Sequence, residues 1–253
     1  MFVHSLDPVL FSLGPVTIYW YGLVYVLGFI GLYFALRRLS DLSSEEVDSL
    51  LVWLVVGLFL GARLFFFAFY RPDLFSVGSF FAVWEGGMSF HGGLAGLFFA
   101  TWLWARRYEH NAWRLLDVGG LVAGWFLALG RLANFVNAEI LGTPFSGSWC
   151  VMFPGEEVCR HPVQLYAALK DVLLGSLLLL VYRSRRFADG FIFWVFALLY
   201  SLLRFVVQFW RDEQVVLLGL QTGHFLSLVM FLVAVVVLLR VYAKDCKKLF
   251  KLG

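Results

Sequence analysis

The run Val118-Gly-Gly-Leu-Val-Ala-Gly-Trp-Phe-Leu-Ala-Leu129 leads directly into Gly130-Arg-Leu-Ala-Asn-Phe-Val-Asn-Ala-Glu-Ile-Leu-Gly142, and this junction decides how the chain is read. The first half is greasy enough to sit in a bilayer. The second half closes it with an arginine, two amides and a carboxylate. An arginine at the edge of hydrocarbon is costly unless it meets a partner or an anionic ligand. The two runs together predict a transmembrane helix that delivers Arg131, Asn134, Asn137 and Glu139 to a site at its end.

The rest of the chain extends that pattern. Of its 253 residues, 61% are hydrophobic and 15% charged, and the mean hydropathy is +0.83. Soluble domains run near half apolar and a quarter charged, so the composition predicts an integral membrane protein. Seven stretches, near 16–36, 50–70, 89–105, 117–135, 163–182, 190–210 and 222–243, are long enough or nearly so to cross a core of about 30 Å as helices. Ten-residue alternating segments are missing, which argues against a closed barrel.

Basic residues set the expected orientation. Arg37 and Arg38 end the first stretch, and Arg106, Arg107 and Arg114 lie between the third and fourth. Arg183, Arg185 and Arg186 follow the fifth, and Arg240, Lys244, Lys247, Lys248 and Lys251 close the chain. With seven helices all of these share one side, leaving Arg71, Arg160 and Arg211 on the other and Arg63, Arg131, Lys170 and Arg204 at membrane depth. The expectation is an all-α protein of seven transmembrane helices, N-terminus outside and C-terminus cytoplasmic. It forms a single polytopic domain over residues 1–253, with an external cap built from loops 71–88 and 136–162. No cleavable signal is expected, since the first apolar stretch is long and lacks a basic leader. Ser43 or Ser44 is placed to cap a helix carrying Glu46 in its first turn. Cys150 and Cys159 fall in the external loop, where their spacing permits a disulfide without requiring one. Nucleic-acid binding has no support.

The polar residues gather at the external ends. His91 sits among glycine pairs in Trp84-Glu-Gly-Gly-Met-Ser-Phe-His-Gly-Gly-Leu94, where backbone can approach a ligand or another helix closely. Arg204, Gln208 and Arg211 share one helix face by their i, i+4, i+7 spacing. Two arginines on one stripe suit a phosphate, because a guanidinium offers forked donors and keeps its charge. Equally, Arg211 reads as an interface anchor paired with Asp212 or Glu213. Arg160, His161 and Gln164 start the fifth stretch, adding donors and a positive helix end. Tyr21, beside Gly22, is the aromatic hydroxyl best placed to reach a ligand. Histidines 91 and 161 lack a third metal ligand at suggestive spacing, so no metal and no cofactor is expected. The implied chemistry is recognition of an anionic lipid headgroup.

The run 130–142 resembles the signature of the bacterial phosphatidylglycerol–prolipoprotein diacylglyceryl transferases, G-R-x-x-N-F-[VI]-N-x-E-x-x-G, at every fixed position. The resemblance continues at Tyr21-Gly22, Gly61-Ala62-Arg63, Trp84 to Gly93, Arg160 to Tyr166, and Arg204 to Arg211, nearly the whole chain in order. It implies an enzyme of the bacterial inner membrane, with its active site toward the external leaflet. Its substrates would be phosphatidylglycerol and a preprolipoprotein signal peptide. The diacylglyceryl group would move to the lipobox cysteine as a thioether, and glycerol 1-phosphate would leave. By carry-over His91, Arg131 and Arg204 are catalytic, supported by Tyr21, Asn134 and Gly142. Asn137, Glu139, Arg160, His161, Gln164, Arg211 and Arg63 complete the expected substrate-binding set. His91 either takes the thiol proton or only orients lipid while the arginines favour thiolate. Gln208 and Ala167 depart from the family's usual glutamates, and Gln208→Glu is expected to change activity no more than a few-fold.

Three other classes are weaker. A transporter would pair polar residues across two halves. A serine protease would need more separation than Ser89 and His91 have and a G-x-S-x-G frame. A scaffold needs few buried donors.

Overall fold

The computed structural model describes residues 1–14, 16–82, 86–184 and 186–250. Trp84, Glu85, Arg185 and Lys251, all used in the sequence reading, lie outside them. Two short strands, β1 (Phe2–Val3) and β2 (Val9–Leu13), precede β3 (Val16–Tyr19) and α1 (Trp20–Leu39). Then come α2 (Ser44–Phe69), a 3-10 turn at Pro72–Leu74, α3 (Val77–Phe81), α4 (Phe90–Arg107) and α5 (Ala112–Val136). Strand β4 (Val151–Met152), α6 (Val163–Ser184) and α7 (Phe191–Gln208) follow. The hairpin β5 (Val215–Leu217) and β6 (Leu220–Gln221), α8 (Thr222–Arg240) and α9 (Ala243–Phe250) complete the order.

Six helices, α1, α2, α5, α6, α7 and α8, are long and apolar enough to cross a membrane, which makes this a multi-pass membrane protein. The remaining expected stretch forms α4, whose 18 residues include three glycines and end in Arg106 and Arg107. These residues lower its apolar content, and it is not one of the six. The chain divides into two compact units, residues 33–118 and residues 1–32 with 119–253.

In the unit 33–118, α2 and α4 pack backbone against backbone along glycines. A Cβ on Gly61 would come within 2.8 Å of the Gly96 Cα, and one on Gly57 within 2.7 Å of the Gly96 carbonyl oxygen. Small residues four apart let helices meet this closely where lipid offers no hydrophobic drive. The α2 start is a capping box: Ser43 accepts from the Glu46 amide at 3.2 Å, and the Glu46 carboxylate accepts from the Ser43 amide at 2.8 Å. Glu46 also meets His110 at 2.8 Å, and the fully buried Trp104 donates to Ser49 at 3.1 Å.

In the other unit, α7 packs between α6 and α8, while α5 meets α6 where a Cβ on Gly124 would come within 2.8 Å of the Gly175 Cα. The cap between α5 and α6 is closed by a Cys150–Cys159 disulfide. The N-terminus is woven into it: β1 runs parallel to β4, with Phe2 opposite Val151 and Val3 opposite Met152. His4, buried between Phe135 and Phe153, bonds the Phe135 carbonyl at 2.7 Å. The all-α expectation thus needs three two-stranded sheets added to it. One of them, β2–β3, takes residues 16–19 away from the expected first span. Val9–Leu13 and Val16–Tyr19 are rich in branched and aromatic residues, and a turn at positive-φ Gly14 joins them.

Candidate active site

The site begins where α5 stops. Arg131 and Asn134 lie one turn apart, and the guanidinium Nη1 donates to the Asn134 Oδ1 at 3.2 Å. The Asn134 Nδ2 in turn donates to the Tyr21 hydroxyl at 2.9 Å and to a Glu139 oxygen at 3.0 Å. Asn137 reaches the other Glu139 oxygen at 3.2 Å, and Gln164, from the first turn of α6, donates to the Glu139 carbonyl at 2.6 Å. Glu139 can meet all three because the chain reverses after Val136. There Ala138 (φ 53°) and Ile140 (φ 57°) adopt left-handed backbone. For a branched residue such as Ile140 that geometry costs about 1–3 kcal/mol, and strain of this kind is concentrated at functional sites.

Gly142 ends the run against the start of α6, where an added Cβ would overlap the His161 carbonyl oxygen. Its own carbonyl accepts from Arg160 at 2.9 Å, and that guanidinium also holds Glu156 and Asp212, each at 2.5 Å. All of these partners tie Arg160 into the cap. His161 stacks on Phe145 at 4.0 Å and shares a 3.1 Å hydrogen bond with the Tyr166 hydroxyl. Burial pushes its imidazole below the usual histidine range, so it is neutral near pH 7.

Arg131 and Asn134, Gln164, Arg204, Gln208 and Arg211 line one cavity, together with Lys170. Its apolar wall is Ile140, Val163, Ala167 and Val207. The stripe of Arg204, Gln208 and Arg211 does share a face. Gln208, fully buried, donates to Glu213 at 2.8 Å and to Gln221 at 2.6 Å, and accepts from Arg211 at 3.1 Å. Arg211 also meets Glu213 at 2.9 Å. Burial, reinforced by Arg204 and Arg131 and opposed by Glu213, lowers its guanidinium to about 10, still well above neutrality.

The balance of charge follows from these pairs. Arg211 has Glu213, and Lys170 has Asp171. Among the described residues Arg131 has only an amide oxygen, and Arg204 has no hydrogen-bond or ion-pair partner. The Gln164 Oε1 on the same wall is buried with no partner. The cavity therefore presents two cations with no carboxylate in hydrogen-bond or ion-pair contact among the described residues, beside a free acceptor. That donor set fits an oxyanion of a hydroxyl-bearing headgroup.

Other expected residues lie elsewhere. Tyr21, Asn137 and Glu139 support the arginine end, whereas Gly142, Arg160 and His161 build the cap. His91, in the first turn of α4, belongs to the unit 33–118, as does Arg63. Arg63, expected with the substrate-binding residues, is only 2% exposed. Its guanidinium donates to the carbonyls of Phe80 (2.9 Å), Gly86 (2.5 Å), Gly87 (2.9 Å) and Ser79, which ties down the 71–88 loop. Lys170, which the sequence places only at membrane depth, joins the cavity wall as well. A lone lysine inside an apolar span was the signal that could have found it.

A family model described as prolipoprotein diacylglyceryl transferase matches residues 8–240. The phosphatidylglycerol–prolipoprotein diacylglyceryl transferase of Geobacter sulfurreducens is 40% identical over 239 residues, which cover 90% of this chain and 92% of that one. The proteins of the same name from Mannheimia succiniciproducens (40% over 231 residues, 88% and 85% covered) and Oleidesulfovibrio alaskensis (43% over 224 residues, 82% and 81% covered) are similar to it as well. With a match this long, reaching from the N-terminal strands to the end of α8, the chain belongs to the prolipoprotein diacylglyceryl transferase family.

Proposed function

We propose that the protein transfers the diacylglyceryl group of phosphatidylglycerol to the lipobox cysteine of a preprolipoprotein. The lipid phosphate is held by Arg131 and Arg204. The observation that carries this reading is the cavity itself, with two cations that touch no carboxylate among the described residues. The relatives named for this activity support it along most of the chain.

In the proposed reaction the cysteine thiol gives its proton to His91, and the thiolate attacks the diacylglyceryl carbon that bears the phosphate ester. A sulfur–carbon bond forms, the carbon–oxygen bond breaks, and its electron pair stays on the phosphate oxygen. The leaving glycerol 1-phosphate carries one more negative charge than the lipid phosphate did. Arg131 and Arg204 stabilise that charge as it develops. The Gln164 oxygen accepts a hydroxyl of the headgroup glycerol, and Tyr21, Asn134, Asn137 and Glu139 keep Arg131 in place. Gly142, Arg160, His161 and Arg211 shape the cap over the lipid, and Arg63 acts through its loop.

The molecule is read as one polytopic domain of seven membrane crossings in the bacterial inner membrane, α4 included, capped externally by loops 71–88 and 136–162. The start of α1, the end of α5, the start of α6 and the end of α7 share the capped end, and Arg37, Arg38, Arg183 and Arg240 lie at the far ends of their helices. That polarity supports an external N-terminus and a cytoplasmic C-terminus. The purified protein incubated with phosphatidylglycerol and a lipobox peptide is expected to yield a peptide thioether and glycerol phosphate in equal amounts. Peptide recovered unmodified from folded protein would overturn the reading.

A further inference from the structure

Lys170 and Asp171 sit inside α6, an apolar span, and the mechanism above uses neither. The ammonium donates to the Asp171 Oδ1 and lies 4.5 Å from the centre of the Tyr200 ring. Lys170 is 8% exposed and Asp171 fully buried. An ion pair in hydrocarbon is costly and adds nothing that packing requires, so within a span it marks function by default. Here one end of the pair faces a place where negative charge is expected: Lys170 lines the cavity together with Arg131 on α5 and Arg204 on α7.

We propose that Lys170 is a third phosphate-contacting cation, and that it serves the leaving phosphomonoester more than the incoming phosphodiester. The inference rests on the phosphate reading of the cavity. An ammonium carries three donors on a flexible stem. Asp171 occupies one donor and keeps the charge tolerable in the span, and the Tyr200 face favours a cation without taking a proton from it. The other donors are left for the cavity. When the carbon–oxygen bond breaks, its electron pair remains on the former ester oxygen, and the phosphate passes from one negative charge to two. Lys170 donates to that oxygen. Arg131 and Arg204 supply two positive charges to the dianion, while Lys170 supplies a contact that the lipid diester, with its oxygen still esterified, does not make.

The test compares wild type with the double variant Lys170→Met/Asp171→Asn and with Lys170→Arg. The double variant removes a neutral pair, so the net charge around the cavity is unchanged and neither partner is left as an orphaned buried ion. Melting temperatures show that each variant folds. Binding of glycerol 1-phosphate to the purified protein is measured directly, and KM for phosphatidylglycerol is measured in the transfer assay. The double variant should bind glycerol 1-phosphate at least about tenfold more weakly, the loss of one charge-assisted contact, while its KM for lipid moves less than about threefold. Lys170→Arg should keep most of the affinity for glycerol 1-phosphate. Unchanged affinity in the double variant, a parallel rise in KM, or no binding of glycerol 1-phosphate by wild type would each overturn the proposal. If wild type forms no thioether, the underlying reading fails. If wild type forms thioether but the double variant's affinity for glycerol 1-phosphate is unchanged, only the role of Lys170 fails.

Discussion

Gln208 shows how far a single side chain can be read ahead of its surroundings. Its place on the stripe with Arg204 and Arg211 follows from helical spacing, and all three line the cavity. What spacing does not convey is that its amide nitrogen serves two acceptors, Glu213 at 2.8 Å and Gln221 at 2.6 Å, from residues after the helix. The expectation for Gln208→Glu concerns activity; the surroundings of the side chain add a cost in stability. The new carboxylate would face the Glu213 carboxylate and an amide oxygen in a fully buried position. Two donated hydrogen bonds would be lost, at about 1–3 kcal/mol for a buried group left unsatisfied. The melting temperature should fall accordingly, and Gln208→Glu/Glu213→Gln should recover most of the loss by returning a donor to the pair. A double variant no better than the single one would show that Glu213 is not the group that matters. Lys170 was legible too, as a lysine in an apolar run, but its cavity wall is shared by three helices and exists only in the fold.

Among the elements, the helices were legible because bilayer thickness sets their length and bulk apolarity marks them. The short strands were not. Two to five residues carry too little periodicity to stand out beside a twenty-residue span, and β1 finds its partner β4 nearly 150 residues away. The glycines of α4 were legible as sites of close approach without revealing what approaches. They meet α2, so their cost is testable in packing. Gly96→Val would drive a side chain into the backbone of Gly57, whose carbonyl carbon lies 2.7 Å from the added Cβ. Overpacking of this kind costs about 1–3 kcal/mol. Gly119→Ala in α5 meets nothing within 4 Å and is the control, expected to hold or raise the melting temperature. A melting temperature for Gly96→Val no lower than that of Gly119→Ala would contradict the close α2–α4 contact.

For the whole molecule, the membrane class and the arginine at the end of α5 were legible because burying charge in lipid is expensive, and few sequences keep it without a use. The reach of Asn134 to Tyr21, 113 positions apart, was not, since it depends on the start of α1 meeting the end of α5. On the proposed reading, Arg131 and Arg204 of this cavity hold the phosphate that leaves. Turnover of phosphatidylglycerol with a lipobox peptide, followed as thioether formed by wild type, Arg131→Gln and Arg204→Gln at saturating lipid, tests it most directly. Removing one donor to a developing oxyanion costs on the order of 10²–10³ in kcat, and each folded variant should lose that much. Folded variants that retain wild-type kcat would contradict the account.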